Sequence, residues 1–238
     1  MTGGWARPIQ RETLHERAYR AVRDALAEGR LRPGEPLPLR PLSIQFDISV
    51  TPMREALLRL VSERALATDL RGAVTVPILT RSQIEEIGRI RVDLEGRGAA
   101  EAALLATPDD IDALQATQDE VAASHAAADY AGAVRNNSRF HLQLCGLARS
   151  PILLELVEAL WVRCGPILWH AASAREGRWS AAPHLDAIAA LRARDAPRAR
   201  AAITHDVTRW VRDYSVFAAE DPVQLNTEPQ VSNARNTP

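Results

Sequence analysis

The sequence predicts a mainly α-helical chain in two parts, with convincing β structure confined to one short hairpin. Apolar residues recur at helical spacing from residue 13 onward. That rhythm breaks once, where residues 65–69 and 73–77 alternate like strands around Leu70, Arg71 and Gly72. After Thr80 the helical pattern resumes without further strand signals. The expected architecture is therefore a head of three short helices and a hairpin over residues 9–78, followed by an all-α bundle over residues 80–219. Residues 221–238 are polar, carry Pro, Asn, Gln and Thr without periodicity, and read as a disordered tail.

The head opens with an amphipathic helix over residues 13–29, whose Leu14, Ala18, Ala21, Val22, Ala25 and Leu26 share one face and which Gly29 can end. Pro33, Gly34, Pro36 and Pro38 mark a turn-rich connector. Residues 41–46 form a short second helix, with a break at residues 47–49. The third helix spans residues 51–64, with Thr51 as its cap, Pro52 at its first position, and Met53, Ala56, Leu57, Leu60 and Val61 as its apolar stripe. In the bundle, Thr80 and Gln83 form a capping box that opens a helix to about residue 106. Further helices are expected from Thr107-Pro108 to about residue 128, over 130–148, from Ser150-Pro151 to about 173, over 180–193 and over 197–219.

Composition excludes several classes. No apolar run behind a basic start suggests a signal peptide, and no stretch is long enough for a membrane helix, so a cytoplasmic protein without membrane partners is expected. Cys145 and Cys164 are too few for a disulfide framework and lack zinc-finger spacing. Residues 1–80 carry 12 Arg against 9 acidic residues, and the remainder 17 against 21. A basic head on an acidic body has the sign expected if the head alone meets phosphate.

Three short helices followed by a two-stranded wing place the third helix in a DNA major groove. That helix divides as required: Thr51, Arg54, Glu55 and Arg59 lie away from its apolar stripe. Arg54 can donate both arms of its guanidinium to guanine or phosphate, and Arg71-Gly72 can reach the neighbouring backbone or minor groove. Periodicity alone does not separate this from a solvated helix face, on which Glu55 and Arg59 would form an ordinary i,i+4 pair. The motifs add to it. Leu31-Arg-Pro-Gly-Glu-Pro-Leu37, residues 42–49, Thr51-Pro-Met-Arg-Glu-Ala-Leu57 and Arg71-Gly-Ala-Val-Thr-Val76 resemble, in order and spacing over residues 9–78, the winged helix-turn-helix domain of the GntR family. The resemblance implies a homodimer on a pseudo-palindromic operator, with Arg40, Ser49, Thr51, Arg54, Arg71 and Gly72 as DNA contacts. Two positions depart from the family pattern: Val50 stands where Arg is usual, and Asp47 where Gly is usual.

In the bundle, Asn137 and His141 share one helix face at i,i+4, and His184 and His205 lie on helices able to converge with it. Three imidazoles and one oxygen donor suit Zn²⁺, Ni²⁺ or a similar divalent cation; on spacing alone, satisfied structural histidines are the simpler account. Arg91-Val-Asp-Leu-Glu95, Asn137-x-x-Phe-His141, His184-x-x-Ile-x-x-Ala190 and His205 resemble the FCD domain, the effector module of the FadR subfamily of GntR regulators. Six body helices point toward its VanR-like branch. The resemblance implies a metal held by Asn137, His141, His184 and His205 beside a small carboxylate effector. Asn137 replaces the family's more usual Asp. Arg91 is positioned to hold the effector's anionic group or, alternatively, to pair with Glu95 on its own helix. For Trp161 and Trp169, core packing is the simpler assignment, although either could line a cavity.

A metal-dependent hydrolase is the competing class, and a purely structural metal a third. No general base at a telling spacing, nucleophile elbow or phosphate loop accompanies the histidines. The expected function is ligand-controlled transcriptional regulation, with repression relieved by effector as the commoner mode among such regulators.

Overall fold

A computed structural model of the chain describes residues 13–69, 71–170 and 180–219. The expected tail over residues 221–238 lies outside these, as do residues 9–12 of the expected head and residues 171–173 of the expected fourth body helix. Helix α1 (Leu14–Ala27) is capped by Thr13, whose hydroxyl accepts from the Glu16 amide, and buries Ala18, Tyr19, Val22 and Leu26. Helix α2 spans Leu39–Gln45 and α3 spans Val50–Ser62. The α3 stripe of Met53, Ala56, Leu57 and Leu60 is buried against α1, as its spacing predicts. Its N-terminus differs from the expectation. Ser49 occupies the cap position and Thr51 sits exposed within the first turn. Asp47, where the motif usually has Gly, takes a left-handed φ of 50° between α2 and α3. Among residues with a Cβ, Asp is one of the few that adopt this region routinely.

The wing strands β1 (Ala67–Thr68) and β2 (Val74–Thr75) are antiparallel, with Ala67 opposite Thr75 and Thr68 opposite Val74. They are shorter than their alternation suggests. The proline-rich connector completes the pairing: Gly34 N–H donates to Val76 O, Val76 N–H to Glu35 O and Leu37 N–H to Val74 O, at 2.8–2.9 Å. Pro36 cannot donate at this edge, which suits a strand flank facing solvent.

The body contains α4 (Arg81–Leu105), α5 (Pro108–Ala126), α6 (Tyr130–Gly146), α7 (Pro151–Cys164), α8 (Ala182–Arg192) and α9 (Ala196–Tyr214). The Thr80–Gln83 capping box is formed, and a second one joins Thr107 to Asp110. Helix α7 is interrupted where the sequence suggests a continuous helix, with helical residues resuming at 169–170. At Gly165–Leu168 it tightens into a 3₁₀ turn, where Pro166 cannot supply an intrahelical amide donor. Phe140, Leu144, Ile188, Leu191, Ile203 and Val207 fill the centre of the bundle. A second cluster, including Ile84, Ile87, Val157, Trp161 and Trp210, joins α4, α7 and α9. No helix among the described residues is long and apolar enough to cross a membrane.

Inside the second cluster, α4 carries a fully buried ion pair. Arg91 Nε lies 2.5 Å from Glu95 Oε1, with side chains 1% and 0% exposed. The guanidinium is flanked by two indoles, its central carbon 4.1 Å from the Trp161 ring centroid and 4.9 Å from that of Trp210. Burial disfavours both charges, but their mutual attraction dominates: Arg91 is raised above its ordinary range, and Glu95 is held down to about 2.

Head and body meet where α1 packs along α7 and its following turn. Val162 joins the head's core, and Arg23 Nη2 lies 2.7 Å from Glu158 Oε2. Gly165 makes the tightest approach. A Cβ there would stand 2.1 Å from Leu26 O and 2.8 Å from Ala27 Cα. Gly165→Ala must therefore push the domains apart and should lower stability by about 1–3 kcal/mol in denaturant titration, the usual cost of overpacking. Gly146→Ala, whose nearest neighbour would be Leu154 Cδ2 at 4.0 Å, should be near neutral. Glu95→Gln leaves Arg91 charged in the core and should destabilise by about 3–5 kcal/mol in the same assay.

Candidate regulatory site and nucleic-acid interface

The head presents a polar surface around the N-terminus of α3 and the wing. Arg40, Ser49, Thr51, Arg54, Arg71 and Gly72 are all exposed. The wing tip is shaped by Asp69, whose Oδ1 accepts from the amides of Arg71 and Ala73 at 2.8 Å. Gly72 takes φ 81° with nothing within 4 Å of where a Cβ would stand, so the tip is open to an incoming backbone. Arg59 is placed differently from Arg54. Its guanidinium turns back over the Tyr19 ring at 3.8 Å and pairs with Glu16 and Glu63 at 2.9 and 3.0 Å. The expected Glu55–Arg59 pair is therefore replaced by one that ties α3 to α1. The reason is reach: the long Arg59 side chain, still 42% exposed, extends to partners on the neighbouring helix.

In the body, His141 on α6, His184 at the start of α8 and Asp206 on α9 converge. His141 Nε2 lies 3.2 Å from Asp206 Oδ2 and His184 Nε2 3.8 Å from the same oxygen. The two Nε2 atoms are 3.2 Å apart. Each imidazole is held from behind. His184 Nδ1 lies 2.6 Å from Gln118 Oε1 on α5, and the His184 ring stacks on Phe140 with centroids 3.9 Å apart. His141 Nδ1 stands 2.8 Å from Glu95 Oε2, within ion-pair range, although its N–H finds no well-angled acceptor. With Nδ1 so occupied, both rings direct Nε2 toward Asp206.

The two histidines differ electrostatically. Burial lowers His184, favouring the neutral ring that serves as a ligand. Burial acts on His141 too, but the carboxylates of Asp206 and Glu95 outweigh it and push the imidazole up to about 9. Asp206 is held well below the ordinary carboxylate range despite its burial, because both histidines face it. The cluster is thus a set of two imidazoles and one carboxylate whose ligand atoms all lie within 4.8 Å of one another.

Placement of the expected ligands is mixed. His141 and His184 are both 1% exposed and come together. Asn137 is half-buried one turn before His141 and makes no hydrogen bond to the cluster among the described residues. The expectation for His205 is corrected: its side chain is exposed, and Asp206 turns inward instead. Helical phase explains the difference. The buried stripe of α9 is Ala199, Ala202, Ile203, Val207 and Trp210. Residue 206 lies three after Ile203 and four before Trp210, whereas residue 205 is rotated about 100° away. That stripe was the sequence signal for Asp206; Gln118 left none, being a polar residue within an otherwise ordinary helix. Of the alternatives for Arg91, the structure forms the intrahelical pair with Glu95. Trp161 packs in the core, its ring centroid 5.1 Å from that of His141.

Comparison with known proteins bears on both parts. Residues 14–76 match the bacterial regulatory proteins of the gntR family, and residues 86–209 match the FCD domain. The chain is 37% identical over 177 residues to the HTH-type transcriptional regulator McbR of Escherichia coli K12, covering 73% of this chain and 80% of that one. The solved structure of E. coli McbR/YncC superposes with a TM-score of 0.77 at 31% identity, covering 85% of this chain and 99% of that one. A GntR-type regulator from Rhodococcus sp. RHA1 shares the fold at a TM-score of 0.71 and 22% identity, covering 84% and 96% of the two chains. The chain belongs to the GntR family of bacterial transcription regulators, as an FadR-type member in which a helix-turn-helix head precedes an FCD domain, and is not an enzyme.

Proposed function

We propose that the chain acts as a homodimeric repressor on a pseudo-palindromic operator, and that a small carboxylate effector bound beside a divalent metal in the helical body sets its affinity for DNA. The observation that carries this reading is the convergence of His141, His184 and Asp206 within the FCD domain. Metal–nitrogen and metal–carboxylate bonds of about 2.0–2.2 Å in a tetrahedron separate neighbouring ligand atoms by roughly 3.3–3.6 Å. The observed separations of 3.2, 3.2 and 3.8 Å fit that spacing. Zn²⁺ and Ni²⁺ both accept imidazole with carboxylate. The bound ion would supply a Lewis-acidic centre with coordination positions left for an anion. His141, His184 and Asp206 would hold it, while Glu95 and Gln118 orient the imidazoles. The set retains one carboxylate, as in many relatives, but places it on α9 at Asp206 rather than on α6 at Asn137.

Transmission to DNA follows the packing. Helix α7 places Trp161 and Cys164 against Arg91, while Glu158 and Val162 engage the head. A ligand that shifts α7 relative to α4 therefore shifts α1, and with it the recognition helix. In a dimer on two half-sites of fixed separation, a small change in head position alters operator affinity. Arg54 and Thr51 carry more of the base contact because Val50 supplies no donor.

Two measurements check this reading. Arg54→Ala should weaken binding to the protein's own upstream region by roughly 5- to 150-fold in gel shift, the range of one bidentate base contact; unchanged binding contradicts the assignment of α3 as the recognition helix. Elemental analysis of purified protein should find about one Zn or Ni per chain, lost in Asp206→Ala and retained in His205→Ala. Equal metal content in both variants contradicts the ligand set.

A further inference from the structure

Apart from the proposed metal, the site as described lacks a cationic side chain to hold the anionic end of an effector, because Arg91 is already committed. Its guanidinium is 1% exposed, bonded to Glu95 and enclosed by Trp161 and Trp210. Releasing it would strand Glu95, a buried carboxylate, without its partner. A second arginine stands on the other side of the cluster. Arg209 lies one turn after Asp206 on α9, with its Nη2 4.0 Å from Asp206 Oδ1. Asp206 is thus shared among three neighbours: Oδ2 faces the two imidazoles and Oδ1 faces Arg209.

At 4.0 Å the Arg209–Asp206 contact is an ion pair without a hydrogen bond. No donor of Arg209 makes a side-chain hydrogen bond among the described residues, although a guanidinium offers five in a fork suited to a carboxylate. Exposure rises in one direction through the site. His141 and His184 are 1% exposed, the Asp206 side chain 14% and the Arg209 side chain 19%. Arg209 is therefore the most exposed of these four side chains.

We infer that Arg209, and not Arg91, is the arginine that binds the effector's carboxylate, aligning it on the solvent side of the His141–His184–Asp206 cluster. The inference rests on the carboxylate-effector reading above and names the residue that selects for negative charge. One carboxylate on the guanidinium and another directed toward the cluster would call for a compact dicarboxylate.

Malonate serves as the probe, and Co²⁺ as a spectroscopic metal. Wild-type protein, Arg209→Gln and Arg209→Lys are titrated with Co²⁺, followed by its visible absorption, and then with malonate, followed by calorimetry with and without metal. The expected result is malonate affinity reduced at least about tenfold in Arg209→Gln, the loss of one charge-assisted fork. Arg209→Lys should recover part of it, and Co²⁺ affinity should stay within about threefold of wild type in both variants, less than the loss of one hydrogen bond to a charged group. Equal malonate affinity in wild type and Arg209→Gln overturns the assignment, as does the absence of malonate binding to wild type. A parallel fall in Co²⁺ affinity also overturns it, since Arg209 would then be positioning Asp206. Failure of wild type to bind Co²⁺ would remove the metal reading alone, because the metal-free malonate comparison still decides the role of Arg209.

Discussion

The interior of the body depends on the Arg91–Glu95 pair of α4. Two opposite charges are buried within one helical turn, and neither has solvent to fall back on. Such a pair is not a large source of stability, since its attraction is offset mostly by desolvation. Its effect is positional. The guanidinium sets the spacing between Trp161 on α7 and Trp210 on α9, and the carboxylate stands beside His141 on α6. Four helices are thereby registered around one polar centre within an otherwise apolar bundle.

That centre explains how a buried cluster can hold charge. Arg91, Glu95, His141 and Asp206 alternate in sign, so each favours the ionised form of its neighbour against the cost of burial. His184, anchored by Gln118, stays at the neutral edge of the group. The same helices carry the arrangement outward. Trp161 and Val162 are consecutive on α7, yet one belongs to the polar centre and the other to the core of the DNA-binding head. With Gly165 seated against the backbone of Leu26 and Ala27, little slack remains between site and head.

Much of the fold was legible because local chemistry and global packing agree. The Thr80–Gln83 capping box, the α3 stripe and the turn at Gly72 are each dictated by neighbours within a few residues. The features that were not legible depend on tertiary contact. Arg59 reads as part of a free surface until α1 offers it Tyr19 and Glu16, and the proline-rich connector reads as a turn until β2 offers it partners. The candidate site was legible in part: His141 and His184 come together, while among the described residues Asn137 makes no hydrogen bond to the cluster and His205 faces away from it. His205 carries the more suggestive side chain, but Asp206 carries the phase, and the apolar stripe of α9 decides between them. Gln118 could be assigned only once α5 and α8 were seen together.

If the body's cluster controls the head, filling it must be felt there through α7. Hydrogen–deuterium exchange on chelator-treated protein, with and without added Zn²⁺, tests this most directly. Coupling between the sites is expected at about 1–3 kcal/mol, so metal should slow exchange in α7 and in the α1 segment around Arg23 to Ala27, as well as in α6, α8 and α9. Slowing confined to the helices that carry the ligands, with α1 unchanged, would contradict it.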